Sequence, residues 1–225
     1  MAFILNIETA TKNCSVSLAK DGKTIALKEL NDGAYSHAEK LHEFIKEVVL
    51  EAGVEMNEIN AIAVSKGPGS YTGLRIGVSA AKGLCFALNI PLISVHTLVS
   101  LAKSEAITEG YLIPLIDARR MEVYCCVLSN KYEVIEDVKA KIIDKFSFNE
   151  YLDKKKVYFL GYGVDKCKEI LKHENAVFVE GKFPSANEMS AISYEKYKKN
   201  EIEDVAYFEP FYLKDFVVTK SKKQL

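Results

Sequence analysis

The chain has 225 residues, 48% of them hydrophobic and 27% charged, which is enough for one large core or two small ones. Its 30 Lys+Arg against 31 Asp+Glu give a formal net charge of -1, without the basic excess of a stand-alone nucleic-acid binder. Apolar runs such as Val123 to Leu128 are far shorter than the roughly 20 residues of a membrane span, and the N-terminus lacks a charged segment with a cleavage site, so a cytoplasmic protein is expected.

Phe3 to Ile7, Cys14 to Ala19 and Thr24 to Leu30 read as three short strands, the last two joined by Asp21-Gly22, a hairpin turn signal. An antiparallel meander is expected. Ser36 to Glu39 fits a capping box, and Leu41, Phe44, Ile45, Val48, Val49 and Ala52 then recur at helical spacing before Gly53, which is placed to end the helix. Ile59 to Val64 is the next strand, followed by the loop Ser65 to Gly73 and a helix from Leu74 to Leu88. That helix carries only Arg75 and Lys82 as charges, and Gly77, Ser79, Ala80, Ala81, Gly83 and Ala87 make it small-sided. A helix apolar nearly all round must be covered on more than one side. Its own sheet covers one side, and the other needs a partner.

Pro91 to Val95 reads as a strand and Thr97 to Ile107 as a helix. The opening pattern then returns: Leu112 to Ile116, a turn from Asp117 to Met121, a strand from Glu122 to Leu128 and another from Tyr132 to Val138. Ile7-Glu8-Thr9-Ala10 and Ile116-Asp117-Ala118-Arg119 hold matching places, which suggests two similar α/β units. The second unit continues with helices at Phe148 to Asp153, Asp165 to Lys172 and Ala186 to Lys199, and strands at Val157 to Leu160 and Ala176 to Val179. The expected boundaries are 1–107, 108–206 and a C-terminal segment 207–225 that can return to the first unit. The polar, basic end from Thr219 to Leu225, with Lys220, Lys222 and Lys223, is expected to fray.

The five cysteines, Cys14, Cys85, Cys125, Cys126 and Cys167, form no C-x-x-C pair, so buried reduced thiols are expected rather than zinc. In the loop, Gly67, Gly69, Ser70 and Gly73 lie between strand and helix, where backbone amides can face an anion. The Walker A pattern fails, however, because Gly73 precedes Leu74-Arg75, and a tight Pro-Gly turn that packs a helix on the sheet explains the same residues. His37 and His42, five apart, fall on different helix faces and read as solvent-facing side chains rather than metal ligands. Glu8 and Asp117 each follow the first strand of a unit, where a cleft between the two would set them face to face; paired carboxylates there can hold a metal-nucleotide complex or activate water, and the competing reading is that each stabilises its own turn. No Ser-His-Asp or Cys-His arrangement stands out, which leaves a peptidase without support.

Several of these segments together resemble the TsaB (YeaZ) family: Ile7 to Ala10 with Cys14-Ser15-Val16, then Lys66-Gly67-Pro68-Gly69-Ser70-Tyr71-Thr72-Gly73-Leu74-Arg75-Ile76-Gly77, Ile116 to Arg119 before Glu122-Val123-Tyr124, and Glu209 to Leu213. The resemblance runs from about residue 3 to 214. It implies an α/β fold of two RNase H-like halves of the actin and sugar-kinase (ASKHA) type, each a mixed sheet flanked by helices. It also implies a subunit without catalytic residues or a metal of its own. Such a subunit pairs with TsaD and works with the ATPase TsaE and tRNA to make N6-threonylcarbamoyladenosine. Family members pair through their first two helices. Here that implies an interface of Leu41, Phe44, Ile45 and Val48 on one helix, with Leu74, Gly77, Val78, Ala81 and Leu84 on the other. A homodimer through the same helices, and ATP or ADP at the interface with TsaD, are compatible with it. The family usually has Asp where this chain has Glu8, which argues against an inherited nucleotide-phosphate role there. The competing reading is a stand-alone ATP-dependent enzyme that uses the Gly67 to Gly73 loop and Asp117.

Overall fold

In the computed structural model, residues 1–33 and 36–214 are described; the basic end from Thr219 to Leu225 lies outside them. The first unit runs β1 (Phe3–Glu8), β2 (Cys14–Lys20), β3 (Lys23–Leu30), α1 (His37–Glu51), β4 (Ile59–Gly67), α2 (Tyr71–Leu88), β5 (Leu92–His96) and α3 (Thr97–Ala102). Asp21 and Gly22 have φ of 50° and 80°, the two left-handed positions that a tight hairpin between β2 and β3 demands. β1 pairs antiparallel with β2 and parallel with β4, giving a sheet of order β3-β2-β1-β4-β5.

The second unit repeats this order with β6 (Tyr111–Asp117), β7 (Glu122–Ser129), β8 (Val134–Ile142), α4 (Asn149–Leu152), β9 (Val157–Leu160), α5 (Val164–Ile170), β10 (Ala176–Val179) and α6 (Ala186–Lys198). Its sheet, β10-β9-β6-β7-β8, is the first sheet's topology strand for strand. The duplication legible in the two opening meanders therefore extends through both units, and the chain is an α/β protein of two RNase H-like halves.

Side chains alternate across a strand, so each sheet buries two faces. In the first sheet, Leu5, Ile7, Val16 and Leu18 face α1 and α2, packing on Leu41, Ile45, Val48, Val78 and Ala81. Ile4, Ala61, Ala63, Ile93 and Val95 face the other way, onto Ala186 and Met189 of α6. In the second sheet, Leu112, Ile116, Cys126 and Leu128 are covered by Leu98, Leu101 and Ala102 of α3, while the opposite face takes Phe148, Leu152, Val164 and Cys167. Each half thus lends a helix to the other's sheet. By chain order α6 belongs to 108–206, yet it closes the first sheet. A polar seam fixes it there: Ser193 Oγ donates to Asn6 Oδ1 at 2.6 Å, and Ser17 Oγ to the Ala186 carbonyl at 2.8 Å. After α6 the chain returns along the first sheet: the Glu203 amide donates to the Leu92 carbonyl of β5 at 2.8 Å and the Phe211 amide to the Lys66 carbonyl of β4 at 2.7 Å.

Element ends follow local hydrogen bonding. Gly53, at φ 64°, closes α1 with bonds from Gly53 N to Leu50 O and from Val54 N to Val49 O, the paired C-terminal pattern a left-handed glycine permits. The capping box at its start does not form: Ser36 makes no side-chain cap, and its carbonyl instead accepts the Glu39 and Lys40 amides. α3 stops at Ala102, short of Ile107, because Ser104 Oγ takes the Leu101 carbonyl at 2.7 Å and the chain tightens into three-residue turns. β8 begins at Val134 rather than Tyr132, since Tyr132 at φ 63° still belongs to the preceding turn. Among the described residues no helix is long and apolar enough to cross a membrane.

Candidate functional site: the first turn, the glycine loop and the outer face of two helices

The conspicuous loop of the sequence folds onto the turn after β1. The Ser70 amide donates to the Ala10 carbonyl at 2.6 Å, while the Ser70 hydroxyl caps α2 by accepting from Gly73 N at 3.3 Å. A Cβ at Gly69 would overlap the Ala10 carbonyl oxygen, one at Gly73 the Thr9 carbonyl oxygen and one at Gly77 the Thr9 hydroxyl. These glycines bring the start of α2 into backbone contact with Thr9 and Ala10. Gly67 has φ 107° and lies against the Phe211 carbonyl.

Glu8 and Asp117 end the first strands of their halves in unlike settings. Glu8 is fully buried; its Oε1 accepts from Ala10 N at 2.6 Å and from Ser65 Oγ at 2.8 Å, and its Oε2 has no partner. Burial pushes its carboxyl up to about 7 against the opposing pull of the Ala10 and Ser65 bonds. Asp117 is exposed; its Oδ1 accepts from Arg119 N at 2.6 Å and from Lys166 Nζ at 2.6 Å. The two carboxylates share no hydrogen-bond partner among the described residues.

The two histidines part company. His42 is exposed, whereas His37, expected in solvent, is buried with Nε2 2.7 Å from the Thr11 carbonyl oxygen. Standing at the first turn of α1, His37 is pressed against the turn after β1, and burial lowers its affinity for a proton. Among the described residues no group of three or more His, Cys, Asp or Glu could hold a metal ion. All five cysteines are buried and free, and burial pushes Cys14, Cys85 and Cys125 up to about 11 and Cys167 to about 12.

The residues expected at a partner interface mostly face inward. Leu41, Ile45, Val48, Leu74, Val78 and Ala81 are buried, Gly77 lies against Thr9, and Phe44 and Leu84 pack partly buried on the same core. The reason is physical: the stripe of large apolar residues at helical spacing is the stripe the sheet claims first. What α1 and α2 present outward is a shallow groove of about 610 Å³ lined by Ala38, His42, Arg75, Ile76, Ser79, Ala80, Gly83 and Leu84. On the same two helices Leu50 is 82% exposed and Phe86 85% exposed. At one end the Arg75 guanidinium sits 4.4 Å from the Tyr71 ring centroid, and its Nε donates to the Tyr212 hydroxyl at 3.3 Å. Sequence reasoning missed Leu50 and Phe86; the available signal was two large apolar residues lying off the inward stripe.

Comparisons with known proteins agree with this architecture. The family model described as "TsaD: tRNA N6-adenosine threonylcarbamoyltransferase" matches residues 31–222. The chain is 29% identical over 225 residues to the "tRNA threonylcarbamoyladenosine biosynthesis protein TsaB" of Escherichia coli (strain K12), covering 96% of each chain. It is 30% identical over 182 residues to the protein of the same name from Buchnera aphidicola subsp. Acyrthosiphon pisum (strain APS), covering 79% of this chain and 80% of that one. A crystal structure from Pseudomonas aeruginosa, described as an uncharacterized protein with similarity to peptidase YEAZ, superposes with a TM-score of 0.84 at 24% identity over 95% of this chain and 100% of that one, so the fold is shared.

Proposed function

The chain belongs to the TsaB (YeaZ) family of tRNA threonylcarbamoyladenosine biosynthesis proteins, and from that premise we propose that it is the non-catalytic subunit that docks on TsaD and activates it for threonylcarbamoyl transfer to the adenosine beside the anticodon. The observation that carries this reading is the outer face of α1 and α2. Leu50 of α1 and Phe86 of α2 are 82% and 85% exposed, on the same two helices whose outward groove is lined by Ile76, Ala80 and Leu84. Large apolar side chains beside small ones, Ser79 and Gly83, suit close approach of another helix pair. In this reading TsaE and tRNA join through the complex, ATP or ADP sits at the interface with TsaD, and the same face makes a homodimer when TsaD is absent.

The stand-alone ATP-dependent enzyme is not favoured. The Ser70 amide of its would-be phosphate loop is engaged by Ala10, and Asp117 is engaged by Lys166.

The test is reconstitution. Leaving this protein out of a purified mixture of TsaD, TsaE, the adenylate-forming enzyme and tRNA abolishes modification if the reading is right. Unchanged modification overturns it. Light scattering on a size-exclusion column checks the docking step separately, with a one-to-one complex expected.

A further inference from the structure

Arg75, in the second turn of α2, is exposed and yet held in one place. Its guanidinium carbon lies 4.4 Å from the Tyr71 ring centroid, and its Nε donates to the Tyr212 hydroxyl at 3.3 Å. The two rings stand 5.1 Å apart between centroids, tilted by 38°, so the brace is itself a packed pair. Tyr212 reaches α2 because the chain just before it is tied down. Lys82 Nζ, further along the same helix, donates to the Ala206 and Phe208 carbonyls at 3.0 and 3.2 Å, and the Phe211 amide bonds to the Lys66 carbonyl. What this leaves of the guanidinium is its outer edge. Among the described residues its Nη groups make no hydrogen bond and no carboxylate forms an ion pair with it; Glu209 acts on it only through space.

Arg75 also lines the outward groove of α1 and α2, together with Ile76, Ala80 and Leu84. Of the groove's lining residues it alone carries a fixed charge, and none is acidic. A partner that brought only apolar side chains to this groove would bury the guanidinium without a counter-charge, which is strongly unfavourable. An acid on the partner turns the same burial into a charge-assisted pair. Because Nε is already engaged, a carboxylate is received end-on, one oxygen to each Nη. The ring and the Tyr212 bond fix the fork before docking, so little side-chain freedom is lost on binding. A phosphate suits the place less well: it gathers several donors, and beyond Arg75 the lining offers only the Ser79 hydroxyl and the His42 ring. Resting on the docking reading above, we infer that Arg75, braced by Tyr71 and Tyr212, is the polar anchor of the docking face and receives a carboxylate side chain of TsaD at the rim of a mostly apolar groove. An arginine packed on tyrosine amid apolar contacts is the kind of residue that dominates an interface.

The experiment titrates TsaD calorimetrically with wild type, Arg75→Gln, Arg75→Lys and Tyr212→Phe, first without nucleotide. Arg75 is exposed and Tyr212 is 37% exposed, so all four proteins should fold and melt within a few degrees of one another. We expect Arg75→Gln to lose about 10- to 100-fold in affinity, mostly through faster dissociation, because it leaves the partner's acid buried without a counter-charge. Arg75→Lys keeps the charge without the fork and should recover only part of that loss. Tyr212→Phe keeps the ring and drops the Nε bond, so a smaller loss of about two- to tenfold is expected. Equal affinity of wild type and Arg75→Gln overturns the inference and leaves docking on TsaD in place. Full recovery in Arg75→Lys overturns it too, since the contact would then be a diffuse charge effect. A loss that appears only when ADP is added assigns the guanidinium to a phosphate. A loss confined to self-association, read by light scattering on the protein alone, assigns it to a second copy of this chain. Either result overturns the carboxylate. Failure of the wild-type protein to bind TsaD at all overturns the docking reading itself.

Discussion

Glu8 and Asp117 hold the same place in the two halves and make the same bond: each carboxylate accepts the amide two residues further on, Ala10 N or Arg119 N, at 2.6 Å. The duplication therefore reaches down to a single turn. Its consequences differ because burial differs. Asp117 has Lys166 and solvent, while Glu8 has neither and keeps one oxygen without a partner.

Glu8 gives the protein a pH-dependent stability with a definite sign. In the unfolded chain the carboxyl loses its proton near its ordinary value of 4.5, and in the fold only at about 7. Between those values the folded state holds the extra proton, so stability falls as pH rises, by at most about 1.4 kcal/mol per pH unit, and levels off above the window. Urea unfolding at a series of pH values checks this. Glu8→Gln, neutral throughout, should lack that component of the slope; equal slopes in variant and wild type would refute the assignment.

The glycines of the loop make a sharper mutational prediction. Gly69→Ala and Gly73→Ala each drive a methyl group into backbone oxygens of Ala10 and Thr9, which cannot swing away as a side-chain tip can. We expect each to cost about 1–3 kcal/mol or more, read as a lowered urea midpoint. Gly83→Ala is the control: nothing lies within 4 Å of its added Cβ, and helix propensity alone should stabilise it by up to about 1 kcal/mol.

Features set by neighbours in the chain were legible before the fold was known. Asp21-Gly22 announced a hairpin, alternation in β2 and β3 announced the meander, and the repeat of Ile7-Glu8 in Ile116-Asp117 announced the second half. Contacts between distant segments were not legible. The small residues of α2 looked like one class, yet Gly73 and Gly77 answer to Thr9 in their own chain while Gly83 faces open space. Leu41, Val78 and Phe86 are equally apolar; helical phase sets Phe86 off the stripe of the other two, but that this stripe is buried while Phe86 stays 85% exposed is decided by the sheet. The crossing of α6 to the first sheet depends on Ser190 and Ser193 meeting Asn6 and Ser17, a match with no local periodicity.

The cysteines offer a test of packing throughout both halves. Every thiol is buried and pushed to a higher pKa by burial, so thiolate is scarce and access requires opening of the fold. A chromogenic disulfide reagent at mildly alkaline pH should label no thiol rapidly in the native protein and all five in denaturant. Rapid native labelling of any one would show that its cover is incomplete.

The docking face calls for a variant that leaves the core untouched. Gly77→Leu and Ala81→Leu, the substitutions the small-sided helix first suggests, fail that requirement. Gly77 abuts Thr9, and Ala81 is fully buried against the first sheet, so either variant would destabilise the fold and lower partner binding for an uninformative reason. Gly83→Leu is different. Its side chain projects from the groove into open space, and Leu favours helix over Gly by close to the full propensity range, so the melting temperature should hold or rise. If another helix pair seats on this face, the added bulk overpacks the contact by about 1–3 kcal/mol, a loss of about 5- to 150-fold in affinity for TsaD. Calorimetric titration of TsaD with wild type and Gly83→Leu measures it. A folded Gly83→Leu protein with unchanged affinity would move the interface away from α1 and α2, whereas weakened binding at full stability assigns it to the face where Leu50 and Phe86 stand exposed.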